Sequence, residues 1–249
     1  MHTKTVACLM LAALVAAGAG CAPDESGPPA GGTSTVTAST APAGSKPTVT
    51  SVRHSGQRGD LTFDVLLPQI EGGNAEAAKE FNQAMSGLLE GFLTQYAATR
   101  SVQDPGQASA VVHLGAHVVS GKVGVSVDFG GVHPLFALAT HVTNLDTGQA
   151  ITLSSTFTSE AEGLRVLSEQ ARVLLPETRA AKAGATLDYD GITPTAEHFS
   201  RWAVTPDGMR LYFEPGQVAP PVGGVIDITV PWSALDGVLA PGMRDILSS

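Results

Sequence analysis

From Leu61 the chain alternates: Leu61, Phe63, Val65 and Leu67 share one parity against Thr62, Asp64 and Leu66, the period of a strand with one buried face. Pro68 is expected to end it. After the breaker Glu71-Gly72-Gly73 the period changes. Asn74 precedes Phe81, Met85, Leu88, Leu89, Phe92 and Tyr96, spaced by three and four, which predicts a helix capped by Asn74 that lays one stripe on a sheet. Val112, Leu114, Ala116 and Val118 then predict a strand, Ser120-Gly121-Lys122 a turn, and Val123, Val125, Val127 and Phe129 the returning strand. A further hairpin is expected from Phe136 to Leu145, around Asp146-Thr147-Gly148, and back through Ala150 to Leu153.

Ser159-Glu160-Ala161-Glu162 has the capping-box spacing, and the helix it opens carries Leu164, Leu167, Ala171, Leu174 and Leu175 on one side before Pro176. Phe199 to Val204, the turn Pro206-Asp207-Gly208 and Met209 to Phe213 predict another hairpin. Val225 to Val230 reads as the last strand, and Ser233 as the cap of a short helix through Leu239. Hairpins interrupted by single helices argue for an α+β fold with mainly antiparallel sheets, in two lobes with one main helix each. The lobes are expected over residues 48–130 and 131–249.

The N-terminus follows different rules. Met1 to Lys4 is short and weakly basic, and Thr5 to Gly20 is apolar and closed by small residues, which reads as a signal peptide over residues 1–20. It is shorter than the roughly 20 apolar residues that span a bilayer. Ala19-Gly20-Cys21-Ala22 resembles the lipobox of bacterial lipoproteins, which implies acylation of Cys21 and a membrane contact through that lipid. Ala17-Gly18-Ala19 also fits an ordinary signal-peptidase site, which would leave a freely secreted chain. From Ala22 to Pro47 nearly every residue is Ala, Gly, Ser, Thr or Pro, a composition too poor in apolar surface to offset its ordering entropy, so residues 21–47 are expected to act as a tether.

Composition narrows the function. The formal net charge of -9 sets the chain against phosphate backbones, so no nucleic-acid partner is expected. Both cysteines, Cys8 and Cys21, precede the expected fold, so neither a disulfide framework nor a cysteine metal site is available to it.

The second half carries a resemblance. Gly131-Val132-His133-Pro134, then Leu145-Asp146-Thr147-Gly148-Gln149, Ile151-Thr152-Leu153 and Phe157, is similar to the motif series of the domain of unknown function numbered 3298. Phe199 to Thr205, Asp207-Gly208, Leu211 to Phe213, Val218-Ala219-Pro220, Gly223 and Val230-Pro231 resemble that family's closing segment. The resemblance runs from about Gly131 to Leu239. Gln149 stands where lysine is usual, and Pro215-Gly216-Gln217 where aromatics are usual. This domain occurs in RsiV-type anti-sigma-factor ectodomains, which bind lysozyme, and in small secreted mycobacterial antigens. The resemblance therefore implies a non-catalytic binding or sensing module of the envelope, its ligand a secreted protein or a wall component. A cell-wall hydrolase or esterase with an unrecognised site is the alternative.

No catalytic, cofactor or metal residues are assigned. His113 and His117 lie four apart, but on a strand and without nearby acids or thiols. Thr186, Asp188, Asp190, Gly191 and Glu197 fit several positions of a calcium loop, yet no clear helix leads in and threonine takes the first place. His133 has no nucleophile to serve, and Asp188 with Asp190 could suit glycan hydrolysis only at a separation that sequence does not fix. Gly124-Val125-Ser126-Val127-Asp128 lacks the closing glycine of a nucleophile elbow. Trp202, Tyr212 and Trp232 are the aromatic candidates for a binding surface, with core packing the competing role for each.

Overall fold

The computed structural model describes residues 45–249, all within one compact unit. Cys21, the apolar leader and nearly all of the expected tether lie outside the described residues. The strands are β1 (Thr48–Arg58), β2 (Leu61–Glu71), β3 (Ser101–Gln103), β4 (Ala110–Leu114), β5 (Val118–Asp128), β6 (Leu135–Asn144), β7 (Gln149–Ala150), β8 (Trp202–Thr205), β9 (Gly208–Phe213) and β10 (Ile226–Pro231). The helices are α1 (Ala75–Gln95), α2 (Leu153–Thr156), α3 (Glu160–Leu174), α4 (Arg179–Lys182), α5 (Trp232–Leu235) and α6 (Met243–Leu247). The fold is α+β and mainly antiparallel, with β2 and β3 the parallel pair.

A seven-stranded sheet in the order β1-β2-β3-β5-β6-β7, with β4 beside β5, is covered on one face by α1. Asn74 caps that helix as expected. Its side chain accepts from the Glu76 N–H at 3.0 Å and donates to the carbonyls of Leu145 and Asp146 at 3.1 and 3.0 Å, so it also ties α1 to the β6–β7 turn. Phe81, Met85, Leu89, Phe92 and Leu93 are buried beneath it with Val119, Val123, Val125 and Val127 of β5.

Two local expectations fail for identifiable reasons. β2 runs through Pro68 to Glu71. The N–H and C=O of Ile70 meet the Asn82 side chain at 2.9 and 3.0 Å, so they point away from β1. Pro68 has the same parity, so its missing donor costs no bond to β1. Ser120-Gly121-Lys122 is no turn but the middle of β5; the chain reverses at Gly115-Ala116-His117, where the Gly115 N–H donates to the Val118 carbonyl at 2.8 Å. Gly121 is there for close packing: a Cβ would lie 2.6 Å from Cζ of Phe81. The residue-130 boundary falls between β5 and β6, which pair continuously from Val118–Asn144 to Val127–Leu135, so one sheet spans it.

The opposite face of that sheet carries a three-stranded sheet in the order β10-β9-β8. β8 would otherwise present an unpaired edge, and hydroxyls of the large sheet satisfy it. Ser120 Oγ donates to the Val204 carbonyl at 3.0 Å and accepts from the Val204 N–H at 3.1 Å, while Thr140 Oγ1 accepts from the Trp202 N–H at 2.9 Å. Helix α3, opened by Ser159, closes the second core with Leu164, Leu167 and Ala171. Ser233 is not a cap: α5 begins at Trp232 after Pro231, with no side-chain hydrogen bond at its start.

Candidate functional site

Where the two sheets meet, a groove of about 430 Å³ opens beside Lys122, Phe136, Leu138, Arg210, Tyr212, Gly224, Val225 and Asp227. Strand parity puts these side chains together. Val119, Gly121 and Val123 of β5 face α1, so Ser120 and Lys122 face the small sheet, and Arg210 and Tyr212 come from β9 opposite Asp227 on β10. Tyr212 is only 5% exposed and packs with Leu138 and Ala203, yet its ring reaches the groove.

Two cations flank that ring. Lys122 Nζ lies 5.7 Å and Arg210 Cζ 5.6 Å from its centroid, within the range of a cation–π contact. Arg210 is held by Asp227, with Nε–Oδ2 at 2.8 Å and Nη2–Oδ2 at 2.5 Å. Lys122 makes no hydrogen bond or ion pair among the described residues. Burial pushes its ammonium below the usual lysine value, Arg210 pushes it further, and Asp227 opposes them. Burial pushes the Tyr212 phenol up, against the nearby Arg210.

A second cluster joins α1 to β6. Glu80 accepts from Thr143 Oγ1 at 2.5 Å and pairs with His141 Nε2 at 2.8 Å. Burial raises the Glu80 carboxyl, but the His141 and Thr143 hydrogen bonds outweigh it and leave it below the ordinary range. His141 also lines a cleft of about 330 Å³ with Ser154, Glu160, Ser200 and Trp202. No hydroxyl hydrogen-bonds the other ring nitrogen of His141 among the described residues, so no nucleophile–base pair is assembled there.

The residues singled out from the sequence disperse. Tyr212 forms part of the first groove and Trp202 borders the cleft of His141. Trp232 lies in the second core, with Nε1 donating to the Thr205 carbonyl at 3.0 Å. His113 Nε2 meets the Ser249 carbonyl oxygen at 2.8 Å, and His117 Nδ1 meets Asp146 at 2.9 Å, so the two imidazoles take separate partners. The Thr186–Asp190 segment lines an open cleft of about 470 Å³, with Asp188 accepting from the Asp190 N–H at 2.9 Å in a local turn; Asp190–Ile192 is a single 3₁₀ turn. His133 lies on the exposed β5–β6 loop. Lys122, Arg210 and Asp227, which complete the groove, stood out in no sequence motif.

The layered arrangement defines an α+β protein whose small antiparallel sheet packs across the face of a larger one. Residues 154–233 match the family model described as a protein of unknown function, DUF3298. The run from Gly131 to Leu153 lies outside that match. Two solved structures share the fold. One is a DUF3298 family member from Bacteroides fragilis, at 14% identity and a TM-score of 0.53. The other is a DUF3298 family protein from Pseudomonas aeruginosa, at 13% identity and a TM-score of 0.51. Each comparison covers 82% of this chain and 97% of the other, so the likeness takes in the large sheet as well as the matched segment. The search of curated proteins found no match.

Proposed function

We propose that this chain is a lipid-anchored, non-catalytic binding module on the extracytoplasmic face of a bacterial membrane, and that it takes a wall component or a secreted protein at the groove over Tyr212. The observation that carries this reading is the groove itself: an aromatic floor, apolar walls and an unpaired cation, in a volume typical of ligand sites. The apolar leader and Cys21 support the anchor, and the resemblance to lysozyme-binding ectodomains supports binding by analogy alone.

Two measurements test it. Intact mass of the protein from a bacterial host should show a diacylglyceryl-scale increment that Cys21→Ala abolishes; an unmodified chain starting at Gly20 would overturn the anchor. Amide spectra of the Cys21→Ala chain, titrated with soluble wall fragments and separately with lysozyme, should shift around Lys122, Tyr212 and Val225. Shifts elsewhere, or none, would overturn the groove as the ligand site.

The second reading, a wall-active hydrolase, draws on the Glu80–His141 pair beside the Ser154 and Ser200 cleft. A fluorophosphonate adduct on either serine, lost in His141→Ala, would favour it over the binding module.

A further inference from the structure

The charge on Lys122 is the feature of the groove that the fold leaves unexplained. Lysine rarely gives up water without a partner, because removing an ammonium from solvent costs free energy that a counter-ion must offset. Here the side chain rises from the middle of β5 and is covered by the small sheet, yet no carboxylate pairs with it among the described residues. The nearby acid, Asp227, is already engaged by Arg210 through both Nε and Nη2. Arg210 and Asp227 therefore cancel, and the groove retains a single uncompensated positive charge on a chain whose net charge is -9. Tyr212 contributes a ring face to Lys122 and a hydroxyl with no hydrogen-bond partner among the described residues.

We infer that the groove accepts an organic monoanion, a carboxylate borne next to an apolar or planar group, with the carboxylate set against Lys122 and the apolar part against Phe136, Leu138 and Val225. This rests on the groove being a binding site. The charge count selects the class. One unbalanced cation is neutralised by one carboxylate, whereas a phosphate dianion would leave a buried negative charge on an already acidic protein. The walls supply the other half of the selection. A small hydrophilic anion must give up its own hydration for a single ammonium, so it gains little here. A ligand that also buries apolar surface gains from both. An arriving anion would reverse the effect of burial on Lys122 and restore its preference for the charged form.

The test uses the full chain with Cys21→Ala, amide chemical shifts as the readout, and three probes: benzoate, benzamide as its neutral counterpart, and inorganic phosphate. Benzoate should shift amides around Lys122, Tyr212 and Val225 and bind at least about tenfold more tightly than benzamide or phosphate, the scale of one charge-assisted hydrogen bond. Lys122→Met keeps the apolar stem and should remove that advantage, bringing benzoate down to the affinity of benzamide. Lys122→Arg should restore most of it. Equal binding of benzoate and benzamide in the native chain and in Lys122→Met would overturn the anion inference and leave the groove as an apolar binding site. Phosphate binding as tightly as benzoate would overturn the monoanion class. Absence of groove shifts with every probe would count against the binding-site reading as well.

Discussion

At the scale of single residues, Ser120 and Lys122 show what a sheet face does when a second sheet covers it. Ser120 is fully buried, and its hydroxyl satisfies both the N–H and the C=O of Val204. Ser120→Ala leaves two backbone groups without partners in a place water does not reach. At about 1–3 kcal/mol for each unsatisfied group, the variant should lose at least about 2 kcal/mol in urea unfolding. Recovery of native stability by Ser120→Ala would mean that β8 finds other partners. Lys122 lies two residues on and has the opposite sign of effect. Its half-buried charge has no counter-ion among the described residues, so Lys122→Met should raise stability, on the order of 0.5–2 kcal/mol, while weakening anion binding, the trade expected of a functional group held in an unfavourable setting. A loss of stability in Lys122→Met would show that the contact with Tyr212 outweighs desolvation. Neither residue was legible in the sequence. The triplet Ser120-Gly121-Lys122 has turn composition, and its burial is imposed by strands about 80 residues further along.

At the scale of elements, the clearest joint is between α1 and β6, and it is made of polar groups. Asn74 was readable because a cap is a local device: a small amide side chain, a preceding glycine pair and an apolar period beginning just beyond it. Its second role, binding the β6–β7 turn through the carbonyls of Leu145 and Asp146, was not, because no short-range rule connects residues 71 positions apart. Asn74→Ala should therefore cost more than the ~1 kcal/mol of an ordinary cap, and Asn74→Asp, which keeps the cap but cannot donate, should fall between Asn74→Ala and the native chain; native stability in Asn74→Asp would remove the turn contact from the account. Glu80 makes the same joint pH-dependent. Its folded carboxyl sits below the ordinary value of 4.5, since hydrogen bonds from His141 and Thr143 outweigh the burial that raises it. A depressed acid contributes stability above the unfolded value and loses it as pH falls through the folded one. The native melting temperature should consequently fall as pH drops below about 4.5. Glu80→Gln should be less stable at neutral pH and show a shallower decline; parallel curves would mean that other carboxylates govern the acid limb.

At the scale of the whole molecule, local periodicity placed the β8–β9 hairpin and the two long helices, but it misplaced the reversal between β4 and β5 and did not show how the elements combine. The β8–β9 hairpin carries its own turn chemistry in Pro206-Asp207-Gly208, so sequence alone places it. Which sheet covers which depends on contacts that skip over whole elements. The second core takes Val118 and Val142 from the large sheet, and β8 depends on Ser120 and Thr140 for its edge. Residues 131–249, drawn as a lobe from sequence, would carry Thr140 and Val142 but lack Val118, Ser120 and the whole of β5 to which β6 pairs. Expressed alone, that segment should fail to give a cooperative unfolding transition, whereas residues 45–249 should unfold in one step, both followed by circular dichroism. A cooperative transition in 131–249 would show that the small sheet and α3 form a self-sufficient core, and would return the groove between the sheets to the status of a domain interface. The likeness to the two solved structures covers 97% of their length, so the shared fold takes in both sheets. On that architecture the groove cannot be separated from the fold: Lys122 comes from the larger sheet, Tyr212 and Arg210 from the smaller, and a ligand bound between them would stabilise the joint on which both cores depend.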